Sequence, residues 1–256
     1  MKVFDAYARY YDLLYTDKDY CGEAAFVDRL LRQHGSVGGE LLELGCGTGK
    51  HAFELARRGW QVIGVDRSKE MVVQAQNRNL KSEEAIRKAL SFQIGDVRTV
   101  RVGRQFDSVI SLFHVLSYQT TNADLQAEIA TAAMHLKSGG LFLFDFWYGP
   151  AVLTNLPEVR VKRIQGGDLE VTRIAEPELR TEVNQVTVNY HIFLRNRKTA
   201  EVSEVREAHH MRYLFLPELE MLLSANGLKM LTTGSWCSDR PAARDTWYVH
   251  AVARKH

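Results

Sequence analysis

Three glycines alternate with other residues in one short segment, Gly45, Gly47 and Gly49, directly after the strand-like run 41–44. Glycine lets the backbone adopt positive φ and approach a ligand closely because it carries no Cβ. A helix that begins at such a turn directs free backbone N–H groups toward the ligand. Asp66 ends the next strand-like run, where an acid can accept hydrogen bonds from both hydroxyls of a ribose. These residues predict a site for a nucleotide-like cofactor, with Asp66 as the ribose ligand.

The spacing of the glycines distinguishes between two classes of nucleotide cofactor. The dinucleotide fingerprint Gly-x-Gly-x-x-Gly requires a glycine at the position of Lys50, whereas the third glycine here is Gly49. An acid, Glu43, stands just before the turn, and a pyrophosphate gives no reason for an acid there. A cofactor that carries an ammonium and a sulfonium does give one. The pattern favours such a cofactor, and an NAD-dependent oxidoreductase is the less favoured alternative.

The segment Glu43-Leu44-Gly45-Cys46-Gly47-Thr48-Gly49, followed by Asp66 after the second strand, resembles the cofactor motif of class I S-adenosylmethionine-dependent methyltransferases. The resemblance implies S-adenosylmethionine as cofactor, S-adenosylhomocysteine as product and a Rossmann-like fold. In that family an acid after the third strand faces the adenine, and residues after the fourth strand line the methyl donor. The cofactor-binding residues expected from the motif and these strand ends are Glu43, Gly45, Cys46, Gly47, Thr48, Gly49, Asp66, Arg67, Met71, Gly95, Asp96, Val97, Leu112 and Phe113.

A second resemblance lies ahead of the sheet, in the tyrosine-rich run 7–15. This run is similar to the Tyr-Asp-x-x-Tyr segment of small-molecule methyltransferases, and it indicates the subgroup of aminosugar N,N-dimethyltransferases. In those enzymes the segment closes over the cofactor, so Tyr11, Tyr15 and Tyr20 are expected near its methionine portion. A tyrosine face beside a sulfonium would gain a cation–π attraction of about 0.5–2 kcal/mol. The resemblance favours a sugar or a nucleotide-linked sugar as the acceptor.

His114 and Asp145 are the predicted catalytic residues. His114 follows the fourth strand-like run and Asp145 ends the fifth, so both are expected at the crevice where the cofactor binds. Methyl transfer is an in-line displacement, and holding the reacting atoms collinear contributes much of its rate. An amine needs only to be neutral when it attacks, whereas a hydroxyl benefits from a base. The sequence leaves open a nitrogen or an oxygen acceptor, and it also leaves open purely structural roles for both residues.

The elements that must position these residues alternate along the first part of the chain. Apolar residues at helical spacing predict a first helix at 23–33. Strand-like runs then alternate with helical ones, the strands at 40–44, 61–66, 90–94, 106–112 and 141–145, and the helices at 51–58, 69–77 and 125–136. This alternation predicts an α/β fold with a parallel sheet and right-handed crossovers.

The pattern changes after Pro150. The runs 159–175, 180–196 and 200–215 are rich in Val, Thr, Ile and Tyr at alternating positions, a pattern typical of an antiparallel meander. A helix with Pro217 in its first turn follows, and then two strands near 229–234 and 246–253, which bring the predicted main sheet to seven strands.

Four regions follow from this organisation: a helical cap at 1–35, a Rossmann-like core at 36–150, an antiparallel β insert at 151–215 and a C-terminal part of the core at 216–256. The insert could cover the site, bind substrate or form a dimer interface. Strand alternation sends neighbouring side chains to opposite faces, so only some of the polar residues near its end can face the site: Glu207, His209, His210 and Arg212.

Composition narrows the class of partner. The 256 residues carry a formal charge of +2 without long basic tracts, and no Asn/Asp-Pro-Pro-Tyr-like segment of nucleic-acid amino methyltransferases follows the fourth strand. No run approaches the roughly 20 apolar residues of a membrane span, and no signal peptide is expected. The three cysteines lack disulfide or zinc spacing. We expect a cytoplasmic monomer or homodimer that acts on a small molecule, without metal, nucleic acid or membrane. A non-catalytic cofactor-binding regulator is the other alternative.

Overall fold

A computed structural model describes residues 11–36 and 39–256, so predictions for 1–10 and 37–38 lie outside the described residues. The helices are α1 (Tyr20–Gln33), α2 (Lys50–Ala56), α3 (Lys69–Leu80), α4 (Glu84–Ala89), α5 (Asn122–His135), α6 (Gly149–Thr154) and α7 (Leu216–Ala225). The strands are β1 (Glu40–Leu44), β2 (Gln61–Asp66), β3 (Leu90–Ile94), β4 (Phe106–Ser111), β5 (Leu136–Trp147), β6 (Arg160–Gly166), β7 (Leu169–Arg180), β8 (Gln185–Asn196), β9 (Val202–Arg212), β10 (Leu228–Ser235) and β11 (Tyr248–Lys255). None of the helices within the described ranges is both long enough and apolar enough to cross a membrane.

Seven strands form one sheet in the order β10-β11-β5-β4-β1-β2-β3. The five strands from β1 to β5 pair in parallel, whereas β11 pairs antiparallel with both β5 and β10. The strand order reverses beside β1, which lies between β2 and β4. Ligands bind at such a switch point, beyond the carboxyl ends of the strands. The predicted α/β Rossmann-like sheet of seven mostly parallel strands is confirmed.

Side chains of the central strands alternate between two apolar layers. In β1, Leu41 packs into the layer that contains Val27 of α1, while Leu42 and Leu44 pack into the layer that contains Ile129 of α5. All five side chains are fully buried. A parallel sheet covered on both faces needs apolar residues on both sides of its strands, which explains the nearly continuous apolar run of β1. The two layers hold the carboxyl ends of β1, β2 and β4 at one edge.

The β insert is a second, antiparallel sheet in the order β6-β7-β8-β9. One of its faces, called here the inner face, packs through Val171 and Ile192 against Leu14 and Met71 of the core side. The same face lines a cavity together with the residues that follow β1, β2 and β4. The insert therefore lies over the carboxyl ends of the core strands, and its place in the chain between β5 and α7 is as predicted.

Some local predictions are wrong. The sequence predicts a break between 175 and 180, but β7 continues to Arg180, and Asn184 turns the chain with a φ of 55°. Pro177 is tolerated within β7 because β6 pairs with β7 only as far as Ala175, which leaves one side of the strand unpaired. The sequence did not predict helices α4 and α6. Both are short, and α4 buries no residue, so neither has a clear apolar pattern at helical spacing. Strand β5 begins at Leu136, directly after α5, and not at 141.

Candidate active site

A cavity of about 570 Å³ lies between the carboxyl ends of the core strands and the inner face of the β insert. Ligand-binding cavities typically have volumes of about 300–1,000 Å³. Most of the predicted site residues line it: Tyr11, Tyr15, Tyr20, Gly45, Cys46, Gly47, Thr48, Asp66, Arg67, Met71, Asp96, Val97, Leu112, Phe113 and His114. Four predicted site residues do not line it, namely Glu43, Gly49, Gly95 and Asp145.

The glycine turn connects β1 to α2 at one wall of the cavity. Gly45, Gly47 and Gly49 have positive φ values of 75°, 52° and 76°. A Cβ on Gly45 would lie 2.4 Å from a methyl group of Val115, and one on Gly49 would lie 2.8 Å from the Phe92 ring. A Cβ on Gly47 would meet no atom of the described residues within 4 Å, because this residue faces the cavity. Gly45 and Gly49 therefore allow close packing, whereas Gly47 leaves space for a ligand.

Asp66 ends β2, and the backbone binds both of its carboxylate oxygens. The Gly47 N–H donates to Oδ2 at 2.8 Å, and the Ser68 N–H donates to Oδ1 at 2.9 Å. Each carboxylate oxygen can accept a further hydrogen bond, so the side chain is fixed in position and can still accept from a diol. Burial raises the pKa of the Asp66 carboxyl above its usual value. A ligand that donates hydrogen bonds would stabilise the carboxylate form.

Glu43 lies beneath the glycine turn and does not reach the cavity. Its Oε1 lies 3.9 Å from His51 Nδ1, while its Oε2 has no hydrogen-bond partner among the described residues. Burial, together with the charge of Asp66, raises the pKa of Glu43 to about 8. A cationic group above the turn would favour the ionised carboxylate. The buried acid thus fits a cationic cofactor through its charge, and direct contact between Glu43 and the cofactor stays a prediction.

Asp12, which has no prediction from the sequence, connects the N-terminal segment to the glycine turn. Asp12 Oδ1 accepts a hydrogen bond from Thr48 Oγ1 at 2.9 Å and lies 3.1 Å from Lys50 Nζ. Its Oδ2 lies 2.5 Å from Arg78 Nη2, and Arg78 Nη1 donates to the Thr48 carbonyl at 2.6 Å. Asp12 is the acid of the Tyr-Asp pair in the sequence, and that pair is the signal that could have found it.

Aromatic rings line the cavity beside the N-terminal segment. The ring centroids of Tyr11 and Tyr15 are 4.8 Å apart, and those of Tyr15 and Phe113 are 5.0 Å apart. Lys50 Nζ lies 4.9 Å from the centroid of the Tyr20 ring. An aromatic face in this position attracts a cation. That property is the one expected of rings near a sulfonium.

Asp96 lines the cavity in an ion pair with Arg98. The guanidinium donates through Nε to Oδ1 at 2.9 Å and through Nη2 to Oδ2 at 2.6 Å. These hydrogen bonds hold the pKa of the Asp96 carboxyl below its usual value. Gly95 is a packing position, because a Cβ there would lie 2.8 Å from Val100. Asp96 therefore presents a fixed carboxylate to the cavity, as a contact with an adenine amino group would require.

The two predicted catalytic residues contact each other. His114 Nδ1 lies 2.6 Å from Asp145 Oδ2, and the His114 backbone N–H donates to both Asp145 oxygens at 3.2 Å. Asp145 is 1% exposed and does not line the cavity, so any effect of its carboxylate on a ligand would pass through His114. Phe113 and His114 have positive φ values of 63° and 64°, a strained conformation that the bonds to Asp145 hold. Asp145 occupies the Nδ1 side of the ring, at the distance of a hydrogen bond but without its alignment. Nε2 is therefore the ring nitrogen on the side away from this acid.

The β insert carries several polar side chains near its end, and the sequence left open which of them face the site. Glu207 and His209 lie on its buried inner face, whereas His210 is exposed on the outer face, as strand alternation predicts. Arg212 donates instead to residues at the beginnings of α5 and α7. Several further lining residues have no prediction from the sequence. Tyr118 and Trp247 line the cavity from short segments of the core, and Arg160, Arg173 and Tyr190 line it because the insert packs over the core.

The chain resembles known proteins along most of its length. Residues 41–140 match the family model described as a methyltransferase domain. The chain is 28% identical over 225 residues to dTDP-3-amino-3,6-dideoxy-alpha-D-glucopyranose N,N-dimethyltransferase of Streptomyces fradiae, covering 87% of this chain and 84% of that protein. It is 27% identical over 227 residues to dTDP-3-amino-3,4,6-trideoxy-alpha-D-glucopyranose N,N-dimethyltransferase of Streptomyces venezuelae, covering 88% of this chain and 90% of that protein.

Solved structures share the fold. An S-adenosylmethionine-dependent methyltransferase of Clostridium acetobutylicum superposes with a TM-score of 0.81 at 21% identity, covering 96% of each chain. DesVI of Streptomyces venezuelae superposes with a TM-score of 0.80 at 24% identity, covering 97% of this chain and 98% of that one. The predicted cofactor and enzyme class are confirmed by the family model and the relatives. The chain contains a methyltransferase domain and is an S-adenosylmethionine-dependent methyltransferase.

Proposed function

We propose that this enzyme transfers methyl groups to the amino nitrogen of a nucleotide-linked sugar. The observation that carries the proposal is a cavity that extends from the glycine turn to the inner face of the β insert, with His114 on its wall. Two relatives that align with most of this chain are named as N,N-dimethyltransferases of dTDP-linked amino sugars. A cavity of this extent has one part for a cofactor and another for an acceptor.

The insert side of the cavity suits a sugar that carries phosphates. Trp147 and Trp247 line it, with their ring centroids 5.5 Å apart, and present large apolar surfaces. Arg160 and Arg173 line it as well. Guanidinium groups bind phosphate oxygens through paired, charge-assisted hydrogen bonds. A diphosphate between the sugar and its nucleotide would therefore meet positive charge at this side.

Positioning is the main chemical task of these residues. The bound cofactor supplies a methyl group on a sulfonium. The glycine turn and Asp66 orient one partner, and the insert side orients the other, so that nucleophile and methyl carbon are held in line. His114, oriented by Asp145, can accept a proton from the acceptor. A neutral amine attacks through its lone pair and needs a base only for the proton that it then sheds, whereas a hydroxyl must lose its proton as it attacks. Histidine as the base therefore favours nitrogen over oxygen.

Matched acceptors test the proposal. The enzyme would be incubated with S-adenosylmethionine and dTDP-linked sugars that differ only by an amino or a hydroxyl group at one carbon. We expect methylated products of the amino sugar alone, identified by mass spectrometry. Methylation of the hydroxyl sugar alone would assign an oxygen acceptor, and methylation of neither would contradict a nucleotide-linked sugar substrate. Asp66→Ala serves as the variant with an impaired cofactor site.

The same proposal gives each of the four regions of the chain a role. Residues 151–215 would bind and cover the acceptor, a role supported by the lining residues of their inner face. Residues 1–35 would cap the cofactor, and 36–150 with 216–256 would form the catalytic core. We infer that the enzyme acts in the cytoplasm as a monomer or homodimer, with Cys21, Cys46 and Cys237 as free thiols.

A further inference from the structure

Three polar side chains form a hydrogen-bonded chain at the insert side of the cavity. The Tyr118 hydroxyl lies 2.8 Å from His209 Nδ1, and His209 Nε2 lies 3.3 Å from Glu207 Oε2. Tyr118 belongs to the short 3-10 helix Leu116–Tyr118 of the core, whereas the other two residues belong to β9. Tyr118 and His209 both line the cavity. The hydrogen-bonded chain therefore joins the core to the insert across the cavity wall.

The acid at the far end of this chain is buried. The side chains of His209 and Glu207 are 3% and 4% exposed, and Glu207 Oε1 has no hydrogen-bond partner among the described residues. Burying a carboxylate is costly unless it is paired and hydrogen-bonded. His209 is the ionisable group that the structure places against Glu207. The imidazole therefore supplies the hydrogen-bond partner that this acid needs, with Nε2 3.3 Å from Oε2.

Glu207 determines which nitrogen of His209 carries the proton. The carboxylate accepts a hydrogen bond from Nε2–H, which leaves Nδ1 as an acceptor for the Tyr118 O–H. The Tyr190 ring packs edge-to-face against the imidazole, with centroids 4.8 Å apart, and restricts its rotation. The arrangement resembles a nucleophile, base and acid in series, with the tyrosine at the end that faces the cavity.

We propose that Tyr118, His209 and Glu207 form a proton relay for the acceptor amine, separate from His114 and resting on the proposed function. When the N–CH₃ bond forms and the S–CH₃ bond breaks, the acceptor becomes an ammonium. One of its N–H protons passes to the Tyr118 oxygen while the Tyr118 O–H proton passes to His209 Nδ1. The result is a neutral methylated amine and an imidazolium beside the Glu207 carboxylate. The imidazolium loses its proton to water when the product leaves.

The relay explains how a second methyl group could be added. A protonated amine has no lone pair for attack, so a monomethylated product must lose a proton before it reacts again. Tyr118 would be a catalytic residue in this step, since it would contact the amine. His209 and Glu207 act through it and are positioning residues.

Other titratable groups face the relay from several elements. The titratable groups around Tyr118 include Tyr11, Tyr15, Tyr190 and Arg67, and Arg173 lies 4.8 Å from the Tyr190 ring centroid. Burial raises the pKa of the Tyr118 hydroxyl well above its usual value. The hydroxyl therefore stays protonated and passes protons on, while His209 is the group that holds the transferred proton.

Conservative substitutions interrupt the relay at either end. Tyr118→Phe removes the hydroxyl, and Glu207→Gln removes the acid charge with little change of shape. The matched control is His210→Gln, because His210 is the next residue on β9, exposed on the outer face and bonded to Thr187. Each variant would be assayed with the amino sugar acceptor across a pH series, and its affinity for S-adenosylhomocysteine would be measured by calorimetry as a check on folding.

We expect kcat to fall about 100-fold or more in Tyr118→Phe, the lower end of what proton transfer by a positioned group contributes. Monomethylated product should accumulate in both relay variants. The loss should shrink as the pH rises, because the ammonium then gives its proton to water. The His210→Gln control should retain the wild-type rate and product ratio, and affinity for S-adenosylhomocysteine should be unchanged throughout.

A second readout does not depend on turnover. In ¹⁵N-histidine NMR spectra, assigned with a His209→Gln variant, His209 should carry its proton on Nε2 in the wild type. Glu207→Gln should abolish this preference. Wild-type product ratios in Tyr118→Phe and Glu207→Gln, or a His209 proton on Nδ1, would overturn the relay alone. A wild type that methylates no amino sugar would contradict the proposed function and the relay with it.

Discussion

Among single residues, Asp66 is the one whose geometry best suits its predicted role in cofactor binding. Both of its carboxylate oxygens are aligned by backbone N–H groups, so a ribose diol would bind to a preorganised acceptor. We expect Asp66→Ala to weaken binding of S-adenosylmethionine and S-adenosylhomocysteine by about 10- to 100-fold, since a hydrogen bond to a charged group contributes about 1.5–3 kcal/mol. Calorimetric titration of both ligands, and of NAD, measures this.

The exposed Asp245 offers a control for that titration. Asp245→Ala should bind both adenosyl ligands as the wild type does. Equal affinities in Asp66→Ala and wild type would show that the ribose is held elsewhere, and preferential binding of NAD would restore the oxidoreductase alternative.

His114 and Asp145 are expected to act as one unit. Asp145→Asn keeps the shape of the acid but removes the charge beside His114 Nδ1, at 2.6 Å in the wild type. We expect kcat to fall by about 100-fold in Asp145→Asn and in His114→Asn, a magnitude typical of general-base catalysis. Steady-state kinetics of the two single variants and the double variant measure the coupling. Because residues of one unit are non-additive, the double variant should be little slower than either single one; multiplied losses would show independent roles.

At the scale of elements, Asp12 joins the N-terminal segment to the glycine turn. Its carboxylate interacts with Thr48, Lys50 and Arg78 at once. Asp12→Asn should weaken S-adenosylmethionine binding about 3- to 10-fold, because a network of partly exposed ion pairs contributes about 1 kcal/mol. Amide hydrogen exchange in residues 11–20 should become faster, and mass spectrometry measures it.

Asp17 supplies the comparison within the same segment. Asp17 forms an ion pair with Lys162, but 69% of the Asp17 side chain is exposed, so this ion pair contributes little. Asp17→Asn should therefore change neither the affinity for S-adenosylmethionine nor the rate of hydrogen exchange in residues 11–20. Equally fast exchange in both variants would mean that Asp12 does not hold the segment in place.

At the scale of the whole molecule, buried acids make stability depend on pH. Burial raises the pKa of Glu43 to about 8 and that of Glu128 to about 7, from ordinary values near 4.5. Between those values the native state binds more protons than the unfolded state. The free energy of unfolding of the ligand-free protein should therefore fall as the pH rises from about 5 to 8.

Urea denaturation at pH 5, 6, 7 and 8 measures this slope. Glu43→Gln and Glu128→Gln should each make it shallower, because a glutamine has no proton to lose. The exposed Glu220 is a control, and Glu220→Gln should keep the wild-type slope. Wild-type slopes in both buried variants would assign the pH dependence to other groups.

Local sequence determined the elements and the cofactor half of the site. The glycine turn, Asp66 and Asp96 each lie at the end of one strand, and parallel strands bring their carboxyl ends to one edge. The positions of the glycine turn and Asp66 could therefore be predicted from spacing, whereas Asp96 was expected from the resemblance to class I methyltransferases. The four-stranded insert was also predicted as antiparallel, although its turn after β7 was not, because the neighbouring pairing that permits Pro177 is not visible in the sequence.

Only the tertiary structure shows the contacts between polar site residues that lie far apart in the sequence. His114 and Asp145 were both predicted, yet only the pairing of β4 with β5 brings one against the other. Tyr118 and His209 are 91 residues apart in the chain and become neighbours because the insert folds over the cavity. Local spacing encodes helices, strands and turns, whereas such contacts depend on where a second sheet packs. Glu43 illustrates the same limit, since the sequence places it just before the glycine turn, whereas its burial beneath that turn is visible only in the tertiary structure.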